Sequence, residues 1–175
     1  MKKKQIYLTG FMGSGKSITA RYLRDLYGLK CLEMDREIEL AEQMKISEIF
    51  RIKGEAYFRE AETNLLKKLS KEENVVVSCG GGTVMRPENV ELMKKNGQIV
   101  LLTAAPQTIF ERVKNNHDRP LLEGNMNVEY IGQLMEARRP SYEAAADVVV
   151  KTDGKNVKEI CEEIMNEWNS EYIDE

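Results

Sequence analysis

Gly10-Phe11-Met12-Gly13-Ser14-Gly15-Lys16-Ser17 satisfies the pattern G-x-x-x-x-G-K-[S/T], and its flanks are those the pattern requires. Ile6-Tyr7-Leu8 is a short apolar run of strand character that leads straight into the first glycine. Behind the motif, Ala20, Leu23, Leu26 and Tyr27 share one face at helical spacing, and Gly28 is placed to end that helix. Strand, glycine loop and helix in this order make an anion cradle. The glycines let successive backbone N–H groups turn inward toward phosphate oxygens, and the helix adds its positive N-terminal end. Lys16 brings a full charge to the β- and γ-phosphates, and the Ser17 hydroxyl is a natural Mg²⁺ ligand. Gly13, Ser14, Gly15, Lys16, Ser17 and Ile18 are therefore expected to hold ATP.

Outward from this loop, short apolar runs alternate with longer amphipathic ones. The runs are Cys31-Leu32, Val75-Val76-Val77, Ile99-Val100-Leu101-Leu102 and Val148-Val149-Val150, which with Ile6-Tyr7-Leu8 predict five strands. All but Cys31-Leu32 are β-branched or continuously apolar, as expected of strands buried on both faces of a parallel sheet. Phe58, Ala61, Leu65, Leu66 and Leu69 give one intervening helix its apolar face. Val157, Ile160, Cys161, Ile164 and Trp168 give the last one its own. Pro87 and Pro106 sit where first-turn prolines would open two more helices. Strands alternating with helices imply right-handed crossovers, hence a three-layer α/β/α domain of about five parallel strands. One segment differs. Residues 117–125 are polar, turn-rich and carry a cation, and they are read as the centre of a lid spanning about 112–126.

Composition narrows the class. A chain of 175 residues with 42% hydrophobic and 31% charged residues is long enough to close a single globular domain without staples. The net charge of −3 supplies no global field for nucleic acid or anionic lipid. Cys31, Cys79 and Cys161 lack any disulfide or zinc-ligand spacing, which suits a reducing compartment. The apolar run after Lys2, Lys3 and Lys4 is too short for a secretory signal, and no stretch approaches the ~18 apolar residues of a membrane span. A cytoplasmic monomer acting on small molecules is expected. No N-K-x-D motif marks a GTPase, and Val75-Val76-Val77 runs into Ser78-Cys79-Gly80-Gly81-Gly82 rather than the acid of a motor ATPase. The layout is that of a small-molecule or nucleoside-phosphate kinase.

Six patterns in order make the chain resemble the shikimate kinase family nearly end to end. They are the glycine loop; Glu33-Met34-Asp35, similar to the family's D-x-D; Gly54-Glu55-Ala56-Tyr57-Phe58-Arg59-Glu60-Ala61-Glu62, similar to G-E-x-x-F-R-x-x-E; Gly80-Gly81-Gly82; Arg119-Pro120-Leu121-Leu122; and Arg138-Arg139-Pro140-Ser141-Tyr142 with Ala146-Asp147 behind it. The resemblance implies ATP-dependent phosphorylation of shikimate to shikimate 3-phosphate, in the pathway to chorismate and the aromatic amino acids. It implies Arg59 and Arg138 as a clamp on the substrate carboxylate, for which a planar fork donor is apt. It implies that Asp35 contacts ring hydroxyls and could accept the proton of the attacking oxygen, with Gly81 and Gly82 against the substrate. Glu62 would orient Arg59 from the next helical turn. On the nucleotide side it implies Arg119 over the phosphates, Arg112 and Pro120 flanking adenine, and a further contact from Lys155 in the turn after the last strand. Lys16, Asp35 and Arg119 are the implied catalytic residues.

Each assignment has a plainer alternative. Asp35 could be only a helix N-cap. Arg59 and Glu62 could be an exposed helix pair, and the three glycines an ordinary turn. Arg138 could lie on a solvated face, with Arg139 beside it competing for the inward position; the pattern R-x-P selects Arg138. His117, the only histidine, has no partner at catalytic spacing and is read as an exposed loop residue. Glu33 departs from the family aspartate that helps hold the hydration shell of Mg²⁺. It keeps the charge, adds a methylene, and is expected to act through water, with Ser78 in the same network. A kinase for another polyol acid such as gluconate, or for a nucleoside monophosphate, and a regulatory nucleotide-binding protein are the competing readings.

Overall fold

The computed structural model describes residues 5–116 and 120–170. Five strands run parallel: β1 (Gln5–Thr9), β2 (Lys30–Glu33), β3 (Val75–Ser78), β4 (Gly97–Thr103) and β5 (Val148–Lys151), in spatial order β2-β3-β1-β4-β5. Eight α-helices among the described residues connect and cover them: α1 (Lys16–Tyr27), α2 (Met34–Glu42), α3 (Ile46–Lys53), α4 (Glu55–Leu69), α5 (Pro87–Asn96), α6 (Pro106–Val113), α7 (Val128–Ala145) and α8 (Val157–Ser170).

The period of two along each strand divides the core between the faces. Ile6, Leu8, Val76, Val100 and Leu102 point to the side covered by α1 and α8, where they meet Ala20, Leu23, Ile160, Ile164 and Trp168. Tyr7, Val75, Val77, Ile99 and Leu101 point the other way, onto Leu66, Met93, Ile109, Ile131 and Tyr142 of α4 to α7. This is the three-layer α/β/α sandwich expected. Gly28 ends α1 in the left-handed conformation, and Pro87 and Pro106 each open their helix. The expectation of burial on both faces fails at the last strand. β5 is a sheet edge, and Val149 is 55% exposed. An edge strand has a neighbour on one side only, and here helices cover just one of its faces.

A smaller core of Ile38, Ile49 and Phe58 joins α2, α3 and α4 beside the sheet. Three residues that the apolar pattern assigned to no strand thus fasten a separate helical cluster. Among the described residues, no helix is long and apolar enough to cross a membrane.

The sheet order places β1 where the chain reverses its direction of growth, so the carboxyl ends of β1 and β3 form the crevice in which open α/β sheets bind ligands. The turn leaving β1 is possible only with glycine. Gly10 has φ of 140°, and a Cβ there would lie 2.4 Å from the Leu102 carbonyl oxygen. Gly28 also has positive φ, at 71°, but a Cβ would meet nothing within 4 Å. We therefore expect Gly28→Ala to cost about 1–2 kcal/mol, the price of left-handed backbone alone. Gly10→Ala should cost clearly more, because the clash with β4 adds to the strain. Urea unfolding of the two variants checks the ordering, and equal losses would show that β4 yields freely.

Candidate active site

At the carboxyl end of β1 the backbone turns through the glycine loop and Lys16 folds back across it. Its ammonium donates to the carbonyl oxygens of Gly10 at 2.6 Å and Phe11 at 3.2 Å. Lys16 therefore faces the loop rather than the core, where arriving phosphate oxygens could replace those carbonyls. Ser14 is buried, and its hydroxyl has no hydrogen-bond partner among the described residues. Gly15 stands at the N-cap of α1 and Lys16 begins the helix, so the helix end opens onto the loop.

Beside the loop is a set of hard oxygen donors. The Ser17 and Ser78 hydroxyls are 3.5 Å apart. Glu33 is the register partner of Ser78 across the β2–β3 pair, which puts its carboxylate at the same sheet edge. Glu33 is the N-cap residue of α2 but makes no side-chain capping bond, and Arg21 Nε lies 3.9 Å from its carboxylate. Among the described residues no group of three or more His, Cys, Asp or Glu could hold a metal alone. Two hydroxyls and one carboxylate fit Mg²⁺, which keeps several waters and takes further oxygens from bound phosphates.

Gly80, Gly81 and Gly82 follow β3 and build the opposite wall. A Cβ on Gly80 would lie 2.9 Å from Glu62 Oε1 and 3.1 Å from Asp35 Oδ1. One on Gly81 would lie 3.2 Å from Arg138 Nη1, and one on Gly82 would fall 2.6 Å from Arg59 Nη1. The turn thus brings Asp35 of α2, Arg59 of α4 and Arg138 of α7 to one cleft. It is not an ordinary joint between strand and helix.

The plainer alternatives for these residues fail on geometry. Asp35 lies in the first turn of α2 and is exposed; Glu33 holds the cap position instead. Arg59 and Glu62 are no exposed pair, since Glu62 is fully buried and accepts from Arg59 Nη1 at 2.8 Å and from the Thr83 hydroxyl at 2.7 Å. Burial pushes the Glu62 carboxyl up, against the opposing pull of Arg59 and Thr83. Burial also works against the charge on Arg59, but its bonds to Glu62 and Glu55 outweigh that and raise it further. Arg138 points inward to the Tyr142 hydroxyl, whereas Arg139 is exposed and pairs with Glu136 at 2.6 Å. The second arginine faces water because α7 rotates by a full side-chain direction between consecutive residues.

Tyr142 is a contributor to which the sequence alone gave no role. Its hydroxyl donates to the Gly81 carbonyl at 2.6 Å and also meets Arg138, one turn earlier on the same helix. Burial pushes the phenol up, despite the opposing pull of Arg138. The i, i+4 spacing from Arg138 was the available signal. Thr83 had none, because its partner Glu62 comes from a distant helix.

On the far side of the loop, Arg112 Nη1 donates to the Gly13 carbonyl at 3.0 Å and to the Thr152 hydroxyl at 3.2 Å. Lys155 lies in the turn after β5 and pairs with Glu163 of α8 at 2.5 Å. Ile18 is on the exposed side of α1. His117 and Arg119 lie outside the described residues, and of Pro120 only the backbone, in a short 3-10 turn, is described. Of the segment 112–126, Val113 and Leu122 are core residues, whereas Leu121 is 45% exposed.

A phosphate loop at the switch point of a parallel sheet, facing an acid and two inward arginines, defines a P-loop kinase for a small anionic acceptor. The shikimate kinase family model matches residues 12–169, and the chain belongs to that family. It is 42% identical over 162 residues to the shikimate kinase of Persephonella marina, covering 93% of this chain and 97% of that one. Among solved structures, shikimate kinase from Acinetobacter baumannii in complex with shikimate is similar at 30% identity and a TM-score of 0.88, covering 97% of this chain and 94% of that one. Shikimate kinase from Aquifex aeolicus is similar at 38% identity and a TM-score of 0.82, covering 96% and 98%.

Glu62→Gln keeps the shape and an acceptor for Thr83 but removes the buried charge facing Arg59. It should destabilise the protein by about 1.5–3 kcal/mol, the worth of a hydrogen bond to a charged group. Urea unfolding measures this, and an unchanged midpoint would mean that Arg59 is oriented by something else.

Proposed function

We propose that this chain phosphorylates shikimate with ATP, giving shikimate 3-phosphate and ADP. The observation that carries this reading is the convergence of Arg59 and Arg138 with Asp35 around a bare glycine turn, next to a phosphate loop. Two guanidinium groups suit one carboxylate, and an exposed acid suits the hydroxyls of the same ring. Family membership and the likeness to a shikimate-bound kinase support the same acceptor.

In the mechanism we infer, Gly13, Ser14, Gly15, Lys16, Ser17 and Ile18 seat the triphosphate, and Lys16 exchanges its loop carbonyls for the β- and γ-oxygens. Arg112, Pro120 and Lys155 border the adenine. Arg59 and Arg138 take the substrate carboxylate, and the backbone of Gly81 and Gly82 lies against the ring. Asp35 orients the attacking hydroxyl and receives its proton as the oxygen–phosphorus bond forms and the bond to the β-phosphate oxygen breaks. Mg²⁺, when bound with ATP, neutralises charge on the phosphates; Ser17 would hold it, with Glu33 and Ser78 acting through its water shell. Arg119 supplies a further positive charge over the transferring group.

Residues 112–126 act as the cover that excludes water. Support comes from the two ends: Val113 is packed where a Gly13 side chain would be, 2.7 Å away, and Leu122 is buried. We read the chain as one catalytic domain acting as a monomer in the cytoplasm, since α2, α4, α7 and the phosphate loop of a single chain supply the site.

Coupled ADP release should require shikimate, with gluconate and nucleoside monophosphates inactive. Arg59→Ala and Arg138→Ala should each raise KM for shikimate by on the order of tenfold or more, the scale of a lost charge-assisted pair, while KM for ATP moves little. Loss of ATP affinity with shikimate affinity retained would overturn the assignment.

Chelation of divalent ions should abolish turnover and Mg²⁺ should restore it. Glu33→Gln should raise the Mg²⁺ concentration needed for half-maximal rate without changing KM for shikimate. A Mg²⁺ titration identical to wild type would remove Glu33 from the metal site.

A further inference from the structure

Behind the glycine turn lies a closed ring of hydrogen bonds that the mechanism above does not use. Asn89, in the first turns of α5, is 1% exposed, and Thr63 and Thr83 are fully buried. The Asn89 amide nitrogen donates to the Thr83 carbonyl at 2.9 Å, and its oxygen accepts from the Thr63 hydroxyl at 2.7 Å. The Thr83 hydroxyl donates to Glu62 at 2.7 Å, and Glu62 accepts from Arg59 at 2.8 Å. Thr63 lies one helical turn beyond Arg59, and its hydroxyl is also 3.2 Å from the Arg59 carbonyl. The ring therefore runs from α4 through Glu62 to the turn, through Asn89 to Thr63, and back into α4.

We propose that Asn89 is a positioning residue for the carboxylate clamp, setting the glycine turn against α4 so that Arg59 holds its substrate-binding orientation. Only one orientation of the amide serves the ring. Thr83 offers a carbonyl and needs a donor, so the nitrogen must face it and the oxygen must face Thr63. A buried amide satisfied at both ends fixes distance as well as direction. The fixed distance matters here because Gly82 touches Arg59 directly, and a Cβ at Gly82 would fall 2.7 Å from Nη2 and 2.8 Å from Cζ. A shift of the turn by a few tenths of an ångström therefore moves the guanidinium. From outside, Arg86 donates to the Thr63 hydroxyl at 2.8 Å and pairs with Glu60 at 3.0 Å, which holds Thr63 in the rotamer that faces Asn89.

This inference rests on the shikimate reading, and the test separates the two. Steady-state kinetics are measured for wild type, Asn89→Ala, Arg59→Ala and the double variant at a temperature where circular dichroism shows each folded. Asn89→Ala should raise KM for shikimate on the order of tenfold, as a small misplacement of a binding group does, with KM for ATP unchanged. In the Arg59→Ala background the same change should add less than about twofold, because residues acting through one group are not additive. Thr63→Val, which keeps the shape and removes the hydroxyl, should reproduce the effect and serves if Asn89→Ala does not fold. An unmoved KM, an equal rise for both substrates, or the same rise with and without Arg59 would each overturn the inference. Absence of shikimate-dependent ADP release in the wild type would overturn the functional reading and this inference with it.

Discussion

The site depends on a stretch of backbone with no side chains. Gly80, Gly81 and Gly82 lie against Glu62, Asp35, Arg138 and Arg59, and a Cβ at Gly80 or Gly82 would displace a charged group, while one at Gly81 would crowd Arg138. Close approach of bare backbone is what glycine offers at the cost of conformational entropy. It allows α2, α4 and α7 to direct opposite charges into one cleft. The parallel sheet supplies the rest of the constraint. It puts the glycine turn after β3 beside the phosphate loop after β1, so acceptor and donor sites share one edge.

Charge balance follows from that geometry. The phosphate loop holds Lys16 against two carbonyl oxygens, which are weaker partners for an ammonium than phosphate, so the loop is primed to exchange them. The acceptor side holds Arg59 against Glu62, yet leaves the arginine partly exposed, with 25% of its side chain open to solvent. Glu62 thus fixes Nη1 of the guanidinium, while Nη2 meets the exposed Glu55 at 3.3 Å, a partner that a bound carboxylate could displace. Arg138 is handled differently, since its neighbour is a neutral phenol that is itself anchored on the Gly81 carbonyl. One arginine is oriented by a buried charge and the other by a dipole.

Much of this was legible in the sequence because local patterns encode local structure. The strand–glycine–helix unit around Gly10 to Ser17 is contiguous, so its reading needed no tertiary information. Pro87, Pro106 and Gly28 mark helix ends for reasons internal to a few residues. The exposure of Val149 was not legible, because an apolar run does not say whether its strand is central or at an edge. Asp35, Arg59 and Arg138 could be chosen only through the family resemblance, since nothing local distinguishes an inward arginine from Arg139 next to it. Thr83 and Asn89 escaped both routes. Their partners lie on other elements, and small polar residues near a turn carry no periodic signal.

The two halves of the cleft are fastened to the protein in different ways. The phosphate loop grows directly from β1, at the centre of the sheet, and moves only if the main core moves. Asp35 and Arg59 instead sit on helices that share the small core of Ile38, Ile49 and Phe58. A surface cluster ties the same helices again: Tyr57 of α4 donates to Glu42 of α2 at 2.8 Å, and Lys53 of α3 pairs with that carboxylate. So α2, α3 and α4 form a unit stiff within itself, and its hold on the sheet must be set by contacts that leave it. Leu66 and Leu69 provide apolar contact with the sheet, which resists separation but fixes no angle. Directional contacts across this boundary include the bonds of Glu62 and Thr63 to Thr83 and Asn89, those of Arg86 to Thr63 and Glu60, and the bond of the Gln5 amide on β1 to the Leu69 carbonyl. α2 also continues directly from β2, with Met34 in the main core. Of the polar bonds across the boundary, those of Glu62 and Thr63 to Thr83 and Asn89 lie directly behind the glycine turn that the substrate is proposed to touch, and so bear most directly on acceptor recognition.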